Sequence, residues 1–222
     1  MTNLVLITSI IDPPQKPLSY TNIRSIYSKS ERFEHTKLTI ESVKQKVPNV
    51  TILVVECSLL NDDELKYFQE NTDYFINIYF DKTLREYVHG HSKALGEGTM
   101  TICGLEYVIH NNIDFRNLFK ISGRYWLSEN FTYKSFDNDD VVVKYIDGDI
   151  NNIFTCLYKL PKSIGVLWCQ FLKNSFNHMV NCIGYEHLFS MFICSLKDIK
   201  ICVLERTGVQ GYVSVSNDFY NG

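Results

Sequence analysis

Residues 51–80, TILVVECSLLNDDELKYFQENTDYFINIYF, decide the fold. Two apolar, β-rich runs, TILVVE (51–56) and FINIYF (75–80), flank NDDELKYFQE (61–70). The middle segment opens with Asn/Asp capping chemistry and reads as a helix. The outer two read as buried strands. Upstream, SERFEHTKLTIESVKQK (30–46) places Phe33, Thr36/Lys37, Ile40 and Val43 at helical spacing. Ser30 is the expected N-cap and Pro48 the stop. LVLITSII (4–11) is a further buried strand. This β-α-β-α-β alternation predicts an α/β fold with a mostly parallel central sheet flanked by helices. Such sheets bind ligands outside the carboxyl ends of their strands. Attention therefore goes to Thr8–Ile11, Glu56–Ser58 and Phe80–Lys82.

Downstream, SKALGEGTMTICGLEYVI (92–109) reads as a helix despite Gly96, Gly98 and Gly104. Each glycine costs about 1 kcal/mol relative to alanine, so a backbone or ligand is expected to approach closely. LFKISGRYWL (118–127) reads as one strand. DVVVKYI (140–146) and NIFTCLY (152–158) read as strands of a smaller antiparallel part. Helices are expected over 163–180 and 184–197, then a last strand, IKICVL (199–204), and a polar tail, TGVQGYVSVSND (207–218). Without a repeat, linker or low-complexity tract, residues 1–222 are assigned to one domain.

Composition narrows the function classes. Hydrophobic residues at 45% and charged residues at 21% exclude a disordered chain. A net charge of −3 offers no basic stripe for duplex nucleic acid. The cysteine count of seven is odd and includes no CxxC pair, which favours buried reduced thiols and a reducing, cytoplasmic compartment. MTNLVLITSII lacks a basic n-region and a cleavage site, so no signal peptide is expected. No apolar run reaches the length of a membrane span.

Four motifs occur in a telling order: RSIYSKSERFEHTKLTIESVKQKVP (24–48), HSKALGEGTM (91–100), KISGRYWL (120–127) and YEHLF (185–189). Together they resemble small viral and bacterial glycosyltransferases of the GT-A fold, and the resemblance covers most of the chain. It implies a donor-nucleotide half (1–127), an acceptor half (128–222), a UDP- or GDP-type nucleotide-sugar donor and a hydroxyl acceptor on a glycan or glycoconjugate. Thr8, Ser9 and Ile10 would give backbone groups to the base. Arg24 and Arg32 would offer guanidinium forks to the diphosphate. Glu56 would accept from a ribose or base. Ser92, Lys93, Gly96 and Glu97 lie where the family places a helix facing the donor, with Lys93 toward phosphate. Most members carry a DxD motif where this chain reads Ser122-Gly123-Arg124. The departure implies that Arg124 and Lys120 neutralise the diphosphate; Mg²⁺ or Mn²⁺ is the alternative. Glu186 is the expected catalytic base for the acceptor hydroxyl.

Each of these residues also has a structural reading. The arginines would be in ion pairs, Lys93 would be a solvated helix lysine, and Glu56 a loop carboxylate. Glu186 would be a first-turn carboxylate stabilising a helix dipole. Asp147-Gly148-Asp149 is a literal DxD, but its position is late and its composition is that of a turn. His89 and His91 lack a third ligand, so no metal site is assigned. Two other functions compete. A nucleotidyltransferase would carry a glycine-rich loop after the first strand, and ITSIIDPPQKP has no glycine. A non-catalytic carbohydrate-binding or assembly protein would keep the fold without turnover.

Overall fold

The computed structural model describes residues 2–216 and 218–222. Strands β1 (Asn3–Ser9), β2 (Val50–Glu56), β3 (Tyr74–Asn77) and β4 (Asn117–Ser122) are parallel neighbours in the order β3-β2-β1-β4. All seven residues of β1 are buried. Leu4 and Leu6 enter one core and Val5 and Ile7 the other, following the two-residue period of a strand. A strand covered on both faces has no polar side, which is why LVLITSII and TILVVE read as continuous apolar runs.

Helices α1 (Lys29–Lys46) and α2 (Asp62–Asn71) cover the Val5/Ile7 face through Ile40, Val43 and Phe68. The opposite face is covered by α3 (Lys82–Val88), α4 (Lys93–His110), α5 (Lys162–Asn174), α6 (Phe176–Val180) and α7 (Tyr185–Ser195), through Val88, Leu105, Trp168, Met179 and Phe189. The cap of α1 lies two residues before the expected one. Ser28, not Ser30, is the N-cap, because Glu31 three residues on completes a capping box with it. Asn61 and Glu64 cap α2 in the same way. β3 ends early because the Asn77 side chain accepts from Tyr79 N at 3.0 Å and turns the chain. Asp81 then caps α3, a helix that the apolar pattern did not reveal.

The glycines of α4 mark close approaches. A Cβ at Gly104 would lie 2.5 Å from Leu6 Cδ1, and one at Gly96 would lie 3.0 Å from Val88 O. At Gly98 it would run into Met179. Helix α4 thus sits directly on β1, with α3 and α6 against its flanks.

The second half departs from the sequence pattern. LFKISGRYWL is two strands, not one: the chain turns at Gly123-Arg124 into β5 (Tyr125–Leu127), which leaves the main sheet. Antiparallel to β4 runs β9 (Leu157–Pro161), followed by β6 (Val141–Val143) and then β10 (Ile201–Val203) parallel to β6. The full sheet order is β10-β6-β9-β4-β1-β2-β3. The expected antiparallel part is therefore divided. β6 and β9 complete the main sheet, while β7 (Tyr145–Ile146) and β8 (Asp149–Ile153) form a separate hairpin. Asp147-Gly148 is its turn, with both residues at positive φ. The polar tail is structured as well. β11 (Val209–Tyr212) pairs with β5 and with β12 (Phe219–Asn221). The helix expected over 163–180 breaks at Ser175 into α5 and α6. Among the described residues no helix is long and apolar enough to cross a membrane.

Candidate functional site

From β1 the chain runs to β2 and β3 on one side, while β4 lies on the other. A crevice opens at such a switch point, at the carboxyl ends of the two diverging strands. A cleft of about 160 Å³ lies there. Its floor is Thr8, Ser9 and Ile10 at the exit of β1 and Ser122, Gly123 and Arg124 at the exit of β4. The first turns of α4 contribute Lys93, Gly96 and Glu97. The irregular segment before α1 covers it with Leu18, Tyr20 and Arg24, and Val213–Val215 after β11 close the side. The two strand exits are tightly joined. Gly123 N donates to Thr8 O at 2.9 Å, and a Cβ at Gly123 would lie 3.0 Å from Ser9 Cβ.

Three of the chain's six arginines, Arg24, Arg32 and Arg124, line this cleft. Among the described residues none of the three has a carboxylate within salt-bridge distance. Neutral oxygens hold them instead. Arg32 Nε donates to Ile10 O at 2.6 Å and its Nη1 to Ser214 Oγ at 3.0 Å. Arg24 donates to the carbonyls of Val88, Gly90 and Lys16. Arg124 Nη1 donates to Tyr212 O at 3.2 Å. Arg32 is 6% exposed, and burial together with the neighbouring Arg124 pulls its pKa down. Burial also lowers that of Arg24. A buried charge is normally paired, and the Arg32 guanidinium, like those of Arg24 and Arg124, is held by neutral oxygens, which leaves this side of the cleft suited to an anion.

One carboxylate faces the same cleft. Glu97 Oε1 accepts from Thr8 Oγ1 at 2.9 Å and from Lys120 Nζ. Burial pushes the Glu97 carboxyl up, but Lys120 and Thr8 outweigh it and hold the group below its ordinary range. Lys120 is fully buried, also donates to Ser122 Oγ at 3.0 Å, and does not line the cleft. Its charge is taken up by Glu97, so it is placed to orient the site rather than to meet a diphosphate.

A second cavity of about 330 Å³ adjoins the first and shares Tyr20 and Lys93 with it. Glu186 lines this second cavity, not the arginine cleft. Lys93 Nζ lies 3.1 Å from Glu186 Oε1, and Thr155 Oγ1 donates to the same oxygen at 3.4 Å. Burial opposes the charge on Glu186, but Lys93 prevails and keeps its pKa below the ordinary value.

Glu56 is elsewhere. It has no exposure, and its Oε1 accepts from Ile11 N, Cys57 N and Ser58 Oγ, which ties the exits of β1 and β2 together. The carbonyls of Thr8, Ser9 and Ile10 each already accept one hydrogen bond, from Gly123 N, Cys57 N and Arg32 Nε. Sequence reasoning missed Tyr20 and Ser214, and it gave Glu97 no role of its own. The alternating pattern of VQGYVSV was the available signal for the Ser214 wall. The residues at 122–124 do not suit a divalent cation. Their one side-chain oxygen, on Ser122, already accepts from Lys120, and the third side chain is a guanidinium. Among the described residues no group of three or more His, Cys, Asp or Glu converges in metal-binding geometry. No protein-family model matches the chain, and no curated protein matches it.

Proposed function

We propose that the chain is a glycosyltransferase that takes a sugar from a UDP- or GDP-type donor and passes it to a hydroxyl of a glycan or glycoconjugate. The observation that carries this reading is the convergence of Arg24, Arg32 and Arg124, without carboxylate partners, on one cleft at the switch point of the sheet. The adjoining cavity with Glu186 supports it by giving an acceptor a place next to the donor.

The proposed chemistry uses these residues as follows. The acceptor oxygen attacks the anomeric carbon, the bond from that carbon to the diphosphate oxygen breaks, and its electron pair leaves with the nucleoside diphosphate. The guanidinium groups meet the charge that develops there. They are fixed in advance by backbone and hydroxyl oxygens, so little reorganisation is needed as the bond breaks. Glu186 takes the acceptor proton, and its pairing with Lys93 keeps it ionised beforehand.

The test is thermal denaturation with nucleosides, nucleoside mono- and diphosphates and nucleotide sugars. A ligand at 100 times its Kd stabilises by about 2.7 kcal/mol. Diphosphates and nucleotide sugars are expected to raise the Tm and nucleosides to leave it unchanged. A bound nucleotide sugar should then release its nucleoside diphosphate when an acceptor is supplied. The reading fails if no diphosphate raises the Tm. Binding without turnover against any acceptor would favour a carbohydrate-binding protein on the same fold.

A further inference from the structure

Glu97 presents an unused oxygen. Both of its hydrogen bonds, from Thr8 Oγ1 and Lys120 Nζ, fall on Oε1, and among the described residues Oε2 has no partner. Oε2 is not sealed in the core, because Glu97 lines the cleft and its side chain keeps 16% exposure. The carboxylate is fixed from behind by a lysine with no exposure of its own. It also has a definite place along the site. Glu97 stands one helical turn after Lys93 on α4, and Lys93 faces both cavities and pairs with Glu186. Glu97 therefore shares the cleft with the three arginines and lies beside the wall that borders the second cavity.

We infer that Glu97 Oε2 recognises the sugar of the donor by accepting hydrogen bonds from its hydroxyl groups. The inference rests on the glycosyltransferase reading and adds to it the residue that separates a sugar ester from a bare diphosphate. An ionised carboxylate accepts but cannot donate, and it repels phosphate oxygens. The anionic part of a ligand must then lie at the arginines. The part beside Glu97 must be uncharged and rich in O–H groups. A free nucleoside diphosphate places charge toward Glu97, while the glycosyl ester places hydroxyls there. Hydrogen bonds to a charged, desolvated acceptor are worth enough to give roughly 10- to 100-fold in affinity.

The experiment compares two affinities by calorimetry: a nucleotide sugar, such as UDP-glucose or GDP-mannose, and the matching nucleoside diphosphate. The proteins are the wild type, Glu97→Gln, and Glu97→Leu combined with Lys120→Met. The double variant leaves no buried lysine uncompensated, so it keeps the test alive if the single variant does not fold. Wild type is expected to bind the nucleotide sugar at least about tenfold tighter than the diphosphate. In the folded variants that preference should fall toward one; diphosphate affinity should rise in Glu97→Gln, which loses a negative charge, and stay about the same in the double variant, which loses one charge of each sign. If diphosphate binds and the preference is unchanged in the variants, the role of Glu97 is wrong and the arginine cleft stands. If wild type binds no diphosphate, the glycosyltransferase reading fails and this inference fails with it.

Discussion

Arg124 lies at the exit of β4, and among the described residues its guanidinium has no acidic partner. Its fork can hold two phosphate oxygens, which a lysine ammonium cannot match in geometry. Arg124→Ala should therefore weaken donor binding and kcat/KM by roughly 10²-fold, and Arg124→Lys by a smaller factor. Initial rates against donor concentration measure both; full activity in Arg124→Ala would remove it from the site. Glu186→Gln should lower turnover by roughly 10² to 10⁴ while donor binding persists. The pH profile follows from the pairing with Lys93. The base must be deprotonated, and Lys93 depresses its pKa, so activity is retained as pH falls and lost only below the ordinary carboxylate value of about 4.3. In Lys93→Ala, followed at saturating donor, the largest influence holding the pKa down is gone, burial and the nearby Glu97 prevail, and the acid limb should move to higher pH. An unmoved limb would show that Glu186 is not the titrating base. Part of this site was legible residue by residue: ligands sit at strand exits of a parallel sheet, and Thr8–Ile10 follow from that rule. Glu56–Ser58 and Phe80–Lys82, chosen by the same rule, do not line the cleft, and Ser122–Arg124 came from the resemblance, inside a stretch that reads as one strand. Glu56 and Lys120 were not legible as structural groups. Their roles depend on full burial and on partners such as Glu97, 23 positions away from Lys120, which no local pattern records.

Helix α4 supplies both Lys93 and Glu97, so its seating on β1 sets the geometry of the cleft. Gly104→Ala opposes two effects. Helix propensity gains about 1 kcal/mol. The new methyl must fit 2.5 Å from Leu6 Cδ1 and 3.1 Å from Val55 Cγ2, in a core where overpacking costs about 1–3 kcal/mol. The expected balance is a loss of about 1 kcal/mol, read as a lower urea midpoint with an unchanged m value. A gain in stability would mean that α4 can lift off the sheet freely. The existence of α4 was readable from its apolar spacing, and the close approach from its glycines. The elements that sequence reasoning misjudged are those defined by distant partners. β5 looks like a continuation of β4 until β11 is present to pair with it, and β11 and β12 look like a polar tail because one face of that small sheet is solvated. The run 152–158, read as one strand, joins the end of β8 to the start of β9, and the place of β9 between β4 and β6 was not readable, since register against a distant neighbour leaves no mark in its own residues.

At the scale of the whole molecule, sheet order does the positioning. Because β2 and β4 flank β1 on opposite sides, their carboxyl ends diverge and leave a crevice, and α4 and the strand exits line it with charge. The segment after β11 completes the wall through Ser214, so the exit of the first strand and the turn after β11 meet at the cleft. The central claim is that this crevice binds a nucleotide-sugar donor by its diphosphate. The measurement that tests it most directly is a crystal structure of the chain with a bound, non-transferable nucleotide sugar. Both phosphates should lie within hydrogen-bonding distance of at least two of Arg24, Arg32 and Arg124, with the sugar beside Glu97 and pointing toward the cavity of Glu186. A donor seated anywhere else on the molecule, or a diphosphate bound without contact to any of the three arginines, would contradict it.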